Sequence, residues 1–565
     1  MKTKLEDLNQ ELSGTPDLEK HDPSPLSADF SEIVIAFVAP AGVDLTTVEN
    51  AVQSRLSQLG YKTVRIRVTA DILPKLDKRA SAGFANDYDR ITTMMDVGTD
   101  ARGHFGDDII ALGVAAEIAK RRPAASAFRP KTAYLVHSLK HPSEVRRFRE
   151  IYPRGFYLIG VNAPFETRQA HLLDRRGLNE LEVEEITTRD KKEDLKHGQQ
   201  VNQTFHLADF FVGWAEDEDR IVNSVHRFVD ILFADPHRTP TFGEYAMFMA
   251  FSASLRSGDL SRQVGAVIAR DGEILATGAN DCPKAGGGLY WPCYNPATKK
   301  FEDIPNGRDS VRGKDSNRRE QLRIIEDVAK GCKDAGLGKE EVQIVRAVLD
   351  DSRIRDLTEY GRVVHAEMAA LLSCARKGIS TQDATIYCTT FPCHNCAKHI
   401  IAAGIRRVVF VEPYLKSKAC PLHDEVIKIG YPEHDGPHTD EKTVRFEPFF
   451  GLGPRRFFDL FSMNIGVGTQ LQRKDDESGE AISWEPTNNS KPRVRMLQGS
   501  YLELEKAASD RFKDLLSGSQ PSIAIVNADR QLPIVASSER GKGVTVRAMR
   551  LTAKRGREPN VSKKA

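Results

Sequence analysis

The sequence predicts an α/β protein made of two successive α/β domains, and three observations carry that reading. Across residues 29–238, short β-rich apolar runs alternate with amphipathic segments, the pattern of a parallel sheet flanked by helices. Residues 239–465 open with a helical segment and an Asp-Gly hairpin, then return to alternating helix and strand. The length of 565 residues exceeds what a single hydrophobic core serves.

In the first domain, Ile33-Val34-Ile35-Ala36-Phe37-Val38 is a continuous apolar run and reads as a buried strand. It leads through Ala39–Thr47 into an amphipathic helix, Val48–Leu59, which Gly60 stops. Tyr61–Val68, Ala133–Val136 and Phe156–Val161 read as further strands, and Asp107–Ala119 and Pro164–Arg176 as helices. Residues 1–28 are polar and carry several prolines, so a disordered tail is expected there.

The second domain begins with the helix Phe242–Leu255. Val264–Arg270 and Glu273–Gly278 flank Asp271-Gly272, a strong hairpin signal. Residues 283–355 interrupt with glycine, proline and dense charge, and read as an insertion, part loop and part helix (Glu320–Lys330, Glu340–Leu349). The domain resumes with a helix over Val364–Arg376, a strand over Ala384–Cys388, a helix over Cys393–Ala403 and a strand over Arg407–Val411. Phe446–Arg456 reads as a core strand followed by a basic turn near the mouth of the site. Residues 466–565 form a polar extension with one amphipathic helix, Tyr501–Leu516. From Arg540 onward its tail holds nine Lys/Arg against one acidic residue. A solvated tail is the plain reading of that run, and contact with RNA or phosphate the sharper one.

A hydrophobic content of 40%, a charged content of 28% and a net charge of +2 are ordinary for a globular protein. They argue against a chain that coats duplexes or membranes by global charge. No stretch approaches the ~20 apolar residues of a membrane span, and the opening residues lack the apolar centre of a secretory signal. A cytoplasmic location is therefore expected. The eight cysteines are then thiols or metal ligands, and their bunching in the third quarter of the chain points to metal.

Two fragments specify the chemistry: Val364-His365-Ala366-Glu367 and Thr390-Phe391-Pro392-Cys393-His394-Asn395-Cys396. A catalytic Zn²⁺ site uses three Cys/His ligands and leaves a fourth position for water. His365, Cys393 and Cys396 supply three ligands, for one Zn²⁺ per chain. A helix starting at Cys393 places both sulfurs about one turn apart on one side, where the helix N-terminus favours thiolate. Glu367 lies two positions past the histidine, off its helix face, so it is misplaced as a fourth ligand yet able to act as general base and acid.

The H-x-E and P-C-x-x-C pattern resembles the zinc-dependent nucleoside and nucleotide deaminases. Ser261–Asn280 resembles the opening hairpin of the deoxycytidylate deaminases, which implies a cytidine-deaminase-like three-layer α/β/α fold. The resemblance further implies that Asn280 holds the sugar. Glu412-Pro413-Tyr414-Leu415-Lys416-Ser417 resembles the substrate-side loop of that family, which makes Lys416 and Ser417 candidate phosphate partners. Cys282 and Cys293 flank Gly286-Gly287-Gly288; they read as buried or loop thiols, with a second, structural zinc as the alternative.

Ala39–Thr47 resembles a P-loop, with departures. Aligning Thr46 with the Mg²⁺-binding hydroxyl puts Leu45 where the lysine belongs, and Ala39 and Asp44 replace glycines, leaving Gly42. Phosphotransfer is not expected, but Gly42, Thr46 and Thr47 remain candidates for binding a nucleotide at the helix start. His137-Ser138-Leu139-Lys140-His141-Pro142, and Val161-Asn162-Ala163-Pro164 before Arg168 and Arg175-Arg176, are similar to nucleoside-monophosphate kinases.

A P-loop kinase-like parallel α/β domain ahead of a deaminase domain, over roughly residues 30–465, resembles the bacterial antiviral deoxycytidine-nucleotide deaminases. That resemblance implies conversion of free dCTP and dCMP to dUTP and dUMP, depletion of the dCTP pool during phage infection, regulation by a nucleotide or RNA at the N-terminal domain, and assembly into a homo-oligomer. The competing readings are a housekeeping dCMP deaminase, a polynucleotide cytosine deaminase, and a non-catalytic sensor that uses zinc only to fold.

Overall fold

The computed structural model describes residues 31–122, 131–191, 197–214, 218–412, 417–430, 442–464, 471–488, 490–494, 496 and 498–518. The expected N-terminal tail, the basic C-terminal tail and Lys416 lie outside the described residues. No helix among the described residues is long and apolar enough to cross a membrane.

Strands β1 (Ile33–Val38), β2 (Lys62–Arg67), β3 (Thr132–His137), β4 (Phe156–Asn162) and β5 (Phe210–Gly213) run parallel in the order β5-β4-β1-β3-β2. Helices α1 (Thr46–Gln58), α2 (Asp87–Phe105), α3 (Ile109–Lys120), α4 (Pro142–Ile151), α5 (Val201–Phe205) and α6 (Glu218–Leu232) connect and cover them. Along β1, Val34, Ala36 and Val38 enter one core while Ile33, Ile35 and Phe37 enter the other. A strand buried on both faces reads as an unbroken apolar run, which is why this one was legible. Helix α2 was not: its sequence scatters Met95, Val97 and Ala101 among Gly98, Gly103 and several charges, so its apolar periodicity is weak. Its start is fixed by Asn86, whose side chain accepts the Asp89 N–H at 2.8 Å.

The second sheet follows α7 (Phe242–Ser254). Its strands are β6 (Gly265–Arg270), β7 (Glu273–Ala279), β10 (Thr385–Cys388), β11 (Arg407–Phe410), β12 (Ile427–Ile429) and β13 (Val444–Pro448), in the order β12-β13-β11-β10-β6-β7. The β6–β7 turn has φ of 52° at Asp271 and 76° at Gly272, the two positive values that a primed hairpin turn requires. Between β7 and β10 lie an exposed hairpin, β8 (Cys293–Asn295) with β9 (Lys300–Glu302), two packed helices, α8 (Ser316–Asp334) and α9 (Lys339–Asp350), and then α10 (Ala366–Lys377). Helix α11 (His394–Ala402) joins β10 to β11.

Two glycines on the hairpin bring helices onto opposite faces of this sheet. A Cβ on Gly265 would meet the α7 backbone, at 2.8 Å from Ser254 N and closer to the Ala250 carbonyl. A Cβ on Gly278 would meet the α10 backbone, at 2.6 Å from Ala370 N and closer to the Ala366 carbonyl. Val267, Ala269, Tyr387 and Val409 join α7 in a core continuous with that of the first sheet, while Ala266, Ile268, Ile386 and Val408 pack with Ala366, Ala370 and Ala397 in a separate core.

After β13 the chain returns to the first sheet. Strand β14 (Gly451–Leu452) pairs antiparallel with β5. This corrects the reading of Arg455 and Arg456 as a basic turn at the site mouth. Arg456 donates to the Phe156 carbonyl at 2.9 Å and approaches Asp209 at 3.4 Å, both on the first sheet. Arg455 stacks over Phe251 of α7. Further on, α12 (Gln498–Ser517) packs on α3. Its Tyr501 donates to Glu32 at 2.5 Å, and its Glu505 accepts from Tyr152 at 2.6 Å. Arg122 lies between the two carboxylates, 2.7 Å from Glu32 and in direct contact with Glu505. These hydrogen bonds hold the Arg122 guanidinium above its ordinary pKa although burial works against it.

Two outcomes are expected. Gly278→Ala must push α10 off β7, because the clash is with backbone; overpacking of this kind costs about 2–3 kcal/mol and should appear as a lower thermal midpoint. Arg122→Met leaves two buried carboxylates without a cation and should cost about 3–5 kcal/mol. Glu505→Gln, which keeps the Arg122–Glu32 pair, should cost about 1 kcal/mol. The ordering of the two midpoints tests the role of the cluster.

Candidate active site

His365 is the N-cap of α10 and Cys393 the N-cap of α11. Each carbonyl accepts the first helical bond, from Ala369 N at 2.8 Å and Ala397 N at 2.9 Å. Two helix starts therefore converge. Cys396 follows one turn into α11, and both sulfurs lie 3.3 Å from His365 Nδ1. For Zn–N near 2.1 Å and Zn–S near 2.3 Å, a tetrahedral angle separates nitrogen from sulfur by about 3.6 Å. The donor set and its spacing fit that ion, and His365, Cys393 and Cys396 are the one cluster of metal-ligating type among the described residues. No fourth protein donor joins it there, which is the pattern of a site with an open position.

Cys393 is pushed down to about 3 by the hydrogen bond from the Cys396 thiol and, against burial, by His365. Cys396 is correspondingly raised by its bond to Cys393 and by burial. A divalent cation binds both sulfurs as thiolates, so its binding releases protons. Glu367, in the first turn of α10, is buried, and burial lifts its carboxyl above the usual range. It accepts from its own backbone N–H and from the Cys396 thiol. Cys388, beneath the site, is held as a neutral thiol by burial. Cys282 is buried and Cys293 exposed, and neither joins a metal-type cluster among the described residues.

A cleft of about 190 Å³ opens on His365, Glu367 and Cys393. Asn280 lines it; its Oδ1 accepts Val264 N–H at 2.7 Å and its Nδ2 donates to the Arg262 carbonyl at 2.9 Å. Ser417 is placed differently from the expectation: its hydroxyl donates to the Pro392 carbonyl at 3.0 Å and accepts Ala419 N–H at 3.0 Å. Sequence reasoning missed Arg262, Asp309, Asn317 and Arg362, which also line the cleft. Arg262 could have been noticed from its place in the Ser261–Asn280 hairpin. No carboxylate lies within ion-pair distance of it among the described residues. Asp309 and Asn317 come from the insertion, whose position no local pattern specifies. The insertion is tied to the site by Arg308–Asp281 at 3.1 Å and Arg362–Asp309 at 2.5 Å. Asp281 in turn pairs by backbone with Val364, beside His365.

In the first sheet, Gly42 and Thr46, but not Thr47, line a cavity of about 600 Å³ beyond β1. Gly42 has φ of 90° and sits against the Arg168 backbone. Two of the loop's N–H groups are engaged by carboxylates: Asp190 accepts Ala41 N–H at 2.8 Å, and Asp44 accepts Thr46 N–H at 2.9 Å. Lys140 reaches the loop from β3, 2.8 Å from both the Ala39 carbonyl and Asp190.

Residues 240–412 match the family model described as the cytidine and deoxycytidylate deaminase zinc-binding region, whose catalytic ion is Zn²⁺. The deoxycytidylate deaminases of enterobacteria phages T2 and T4 are 32% and 31% identical over 182 residues, 32% of this chain and 84% and 81% of theirs. The deoxycytidylate deaminase of Saccharomyces cerevisiae is 24% identical over 294 residues, half of this chain and 76% of its own. The dCMP deaminase of cyanophage S-TIM5 aligns in structure with a TM-score of 0.20 at 18% identity, over 38% of this chain and all of that one, and at that score adds nothing to the argument. With more than four-fifths of two phage enzymes matched above 30% identity, and with the zinc-type donor cluster inside the matched region, the chain belongs to the deoxycytidylate deaminase family.

Proposed function

We propose that the protein is a zinc-dependent hydrolase that deaminates free deoxycytidine nucleotides, dCMP and dCTP, to dUMP and dUTP. The observation that carries the reading is the three-donor cluster with an open position, set beside a buried carboxylate at the floor of a small cleft. Bound zinc supplies a Lewis acid that lowers the pKa of water at the open position. His365, Cys393 and Cys396 hold the ion. Glu367 takes one proton from the attacking water and passes it to ring N3 as C4–O forms, then carries the second proton of that oxygen to the amine, so that C4–N breaks, C4=O forms and ammonia leaves. Asn280 keeps one amide hydrogen for the sugar, Arg262 of the cleft meets the phosphate, and Lys416 remains the second candidate for it. A cleft of about 190 Å³ walled by the insertion favours a single nucleotide over a strand.

The N-terminal half reads as a regulatory domain. The β2-β3-β1-β4-β5 parallel order, with β1 feeding the start of α1, supports the kinase-like resemblance. Leu45, buried where a phosphate-binding lysine would stand, argues against phosphotransfer. The cavity of about 600 Å³, with Arg67, Arg90, Arg102 and Lys140 in its wall, suits a small anionic regulator such as a nucleotide. On this reading the enzyme lowers the cytoplasmic dCTP pool as a defence against phage. The second reading, a housekeeping dCMP deaminase, is favoured by the names of the phage and yeast relatives.

Metal analysis of the purified chain should give one zinc, near zero after His365→Ala or Cys393→Ser, and full zinc after Glu367→Gln. The last variant should lose at least about a thousandfold in kcat, since it removes general acid–base transfer from both halves of the reaction. Chromatography of products after incubation with dCMP, dCTP and cytidine separates the readings. Conversion of dCTP supports the pool-depleting enzyme, dCMP alone the housekeeping one, and cytidine alone overturns the nucleotide claim.

A further inference from the structure

The dipeptide before the first thiolate ligand is gripped at two points by the segment that follows β11. Phe391 N–H donates to Glu412 Oε2 at 3.2 Å, and the Pro392 carbonyl accepts from Ser417 Oγ at 3.0 Å. Phe391 itself is buried, edge-on to Phe410 with ring centres 4.8 Å apart. Glu412 is 3% exposed. A carboxylate so deeply placed is costly unless cations or donors face it. Its second oxygen, Oε1, stands 3.8 Å from Nε2 of His206, which belongs to the first sheet's layer. His206 caps the C-terminal end of α5, and at the other end of that short helix Gln200 N–H donates to the Lys140 carbonyl at 2.9 Å. Lys140 reaches the β1 loop, and Gln199 lines the large N-terminal cavity. A short run of contacts therefore links that cavity to the backbone of Phe391, two residues before Cys393.

We propose that Glu412 is a positioning residue that sets the Cys393 ligand loop and, through His206, makes its geometry depend on the placement of α5. The proposal deepens the deaminase reading and rests on it for its kinetic arm. Glu412 touches neither metal nor substrate. It orients the backbone from which a ligand projects, and a ligand misplaced by a fraction of an ångström changes how well the ion and Glu367 address the same water. Because His206 sits on a different sheet, a ligand that shifts α5 reaches the catalytic cleft without contacting it.

The test compares His206→Ala, Glu412→Gln, Glu412→Ala and the double variant His206→Ala/Glu412→Ala in the full chain. Glu412→Gln keeps an acceptor for Phe391 N–H and loses the charge facing His206, so it should match His206→Ala, with kcat down about threefold and KM little changed. Glu412→Ala loses both contacts and should fall about tenfold in kcat, with the double variant no worse than Glu412→Ala alone. Cobalt(II) replacing zinc gives a second readout that needs no turnover. Its ligand-field bands should shift in Glu412→Ala and, to a smaller extent, in His206→Ala, at unchanged metal content. Wild-type kinetics and an unshifted cobalt spectrum for His206→Ala would overturn the link, as would independent, multiplying effects in the double variant. Should no form of the protein deaminate any cytosine nucleotide, the deaminase reading falls, and the cobalt spectra still decide the positioning claim.

Discussion

The approach of α10 to β7 at Gly278 is the constraint on which the catalytic centre depends. The helix backbone lies so close to the strand that no side chain fits between them. That closeness fixes both the height and the rotation of α10, and so decides where its N-cap, His365, and its first-turn carboxylate, Glu367, point. The partner helix α11 is set by a different device. It starts at Cys393 directly after the β10 strand and is held by Phe391 in the core shared by Phe410 and Phe446. Metal geometry then follows from two helix starts that are fixed independently. The nitrogen and both sulfurs accordingly stand near tetrahedral separation.

The two sheets are not isolated lobes. Helix α7 lies on one face of the second sheet and contributes Ala246, Met247 and Ala250 to a core that continues into the first. At its start, Glu244 accepts both arms of Arg227 from α6 at 2.8 Å, caps its own helix with Thr241, and accepts Leu452 N–H of β14 at 2.7 Å. One buried carboxylate thus joins the end of the first fold, the start of the second and the returning strand. The C-terminal helix α12 closes against α3 through the Arg122 cluster at the opposite region of the first sheet. The two halves are thus joined through packed contacts.

The legibility of the sequence divides along the range of the interactions. The H-x-E and P-C-x-x-C spacings, the Asp-Gly turn and the apolar run of β1 encode their geometry within a few residues, so local rules suffice. The groups that sequence reasoning missed or misplaced act over long separations. Glu412 bonds Phe391 21 positions away, and Arg362 bonds Asp309 53 positions away. Nothing near Arg456 in sequence says that it will meet Phe156, 300 positions earlier. Ser417 resembled a phosphate donor by type and neighbourhood, yet its hydroxyl is spent on the ligand loop. The β1 loop is also shaped by a long-range contact. The β1 turn and helix are where the pattern places them, but Asp190, far along the chain, occupies the N–H that a phosphate would use.

That substitution of carboxylate for phosphate bears on what the N-terminal domain can be. Two of the loop's donors, the Ala41 and Thr46 N–H groups, are taken by carboxylates of its own chain, which spares them the cost of an unmade hydrogen bond. Lys140 balances Asp190 and faces the Ala39 carbonyl, so the arrangement is close to neutral and complete. A ligand phosphate entering there must displace a buried carboxylate, and the displaced Asp190 would release Lys140 with it. Lys140 is bonded through its carbonyl to Gln200 at the head of α5, and His206 at the foot of α5 faces Glu412. A ligand that displaced Asp190 would therefore act at one end of the run of contacts that ends at Glu412. A catalytic lysine at position 45 would have bound phosphate without that rearrangement.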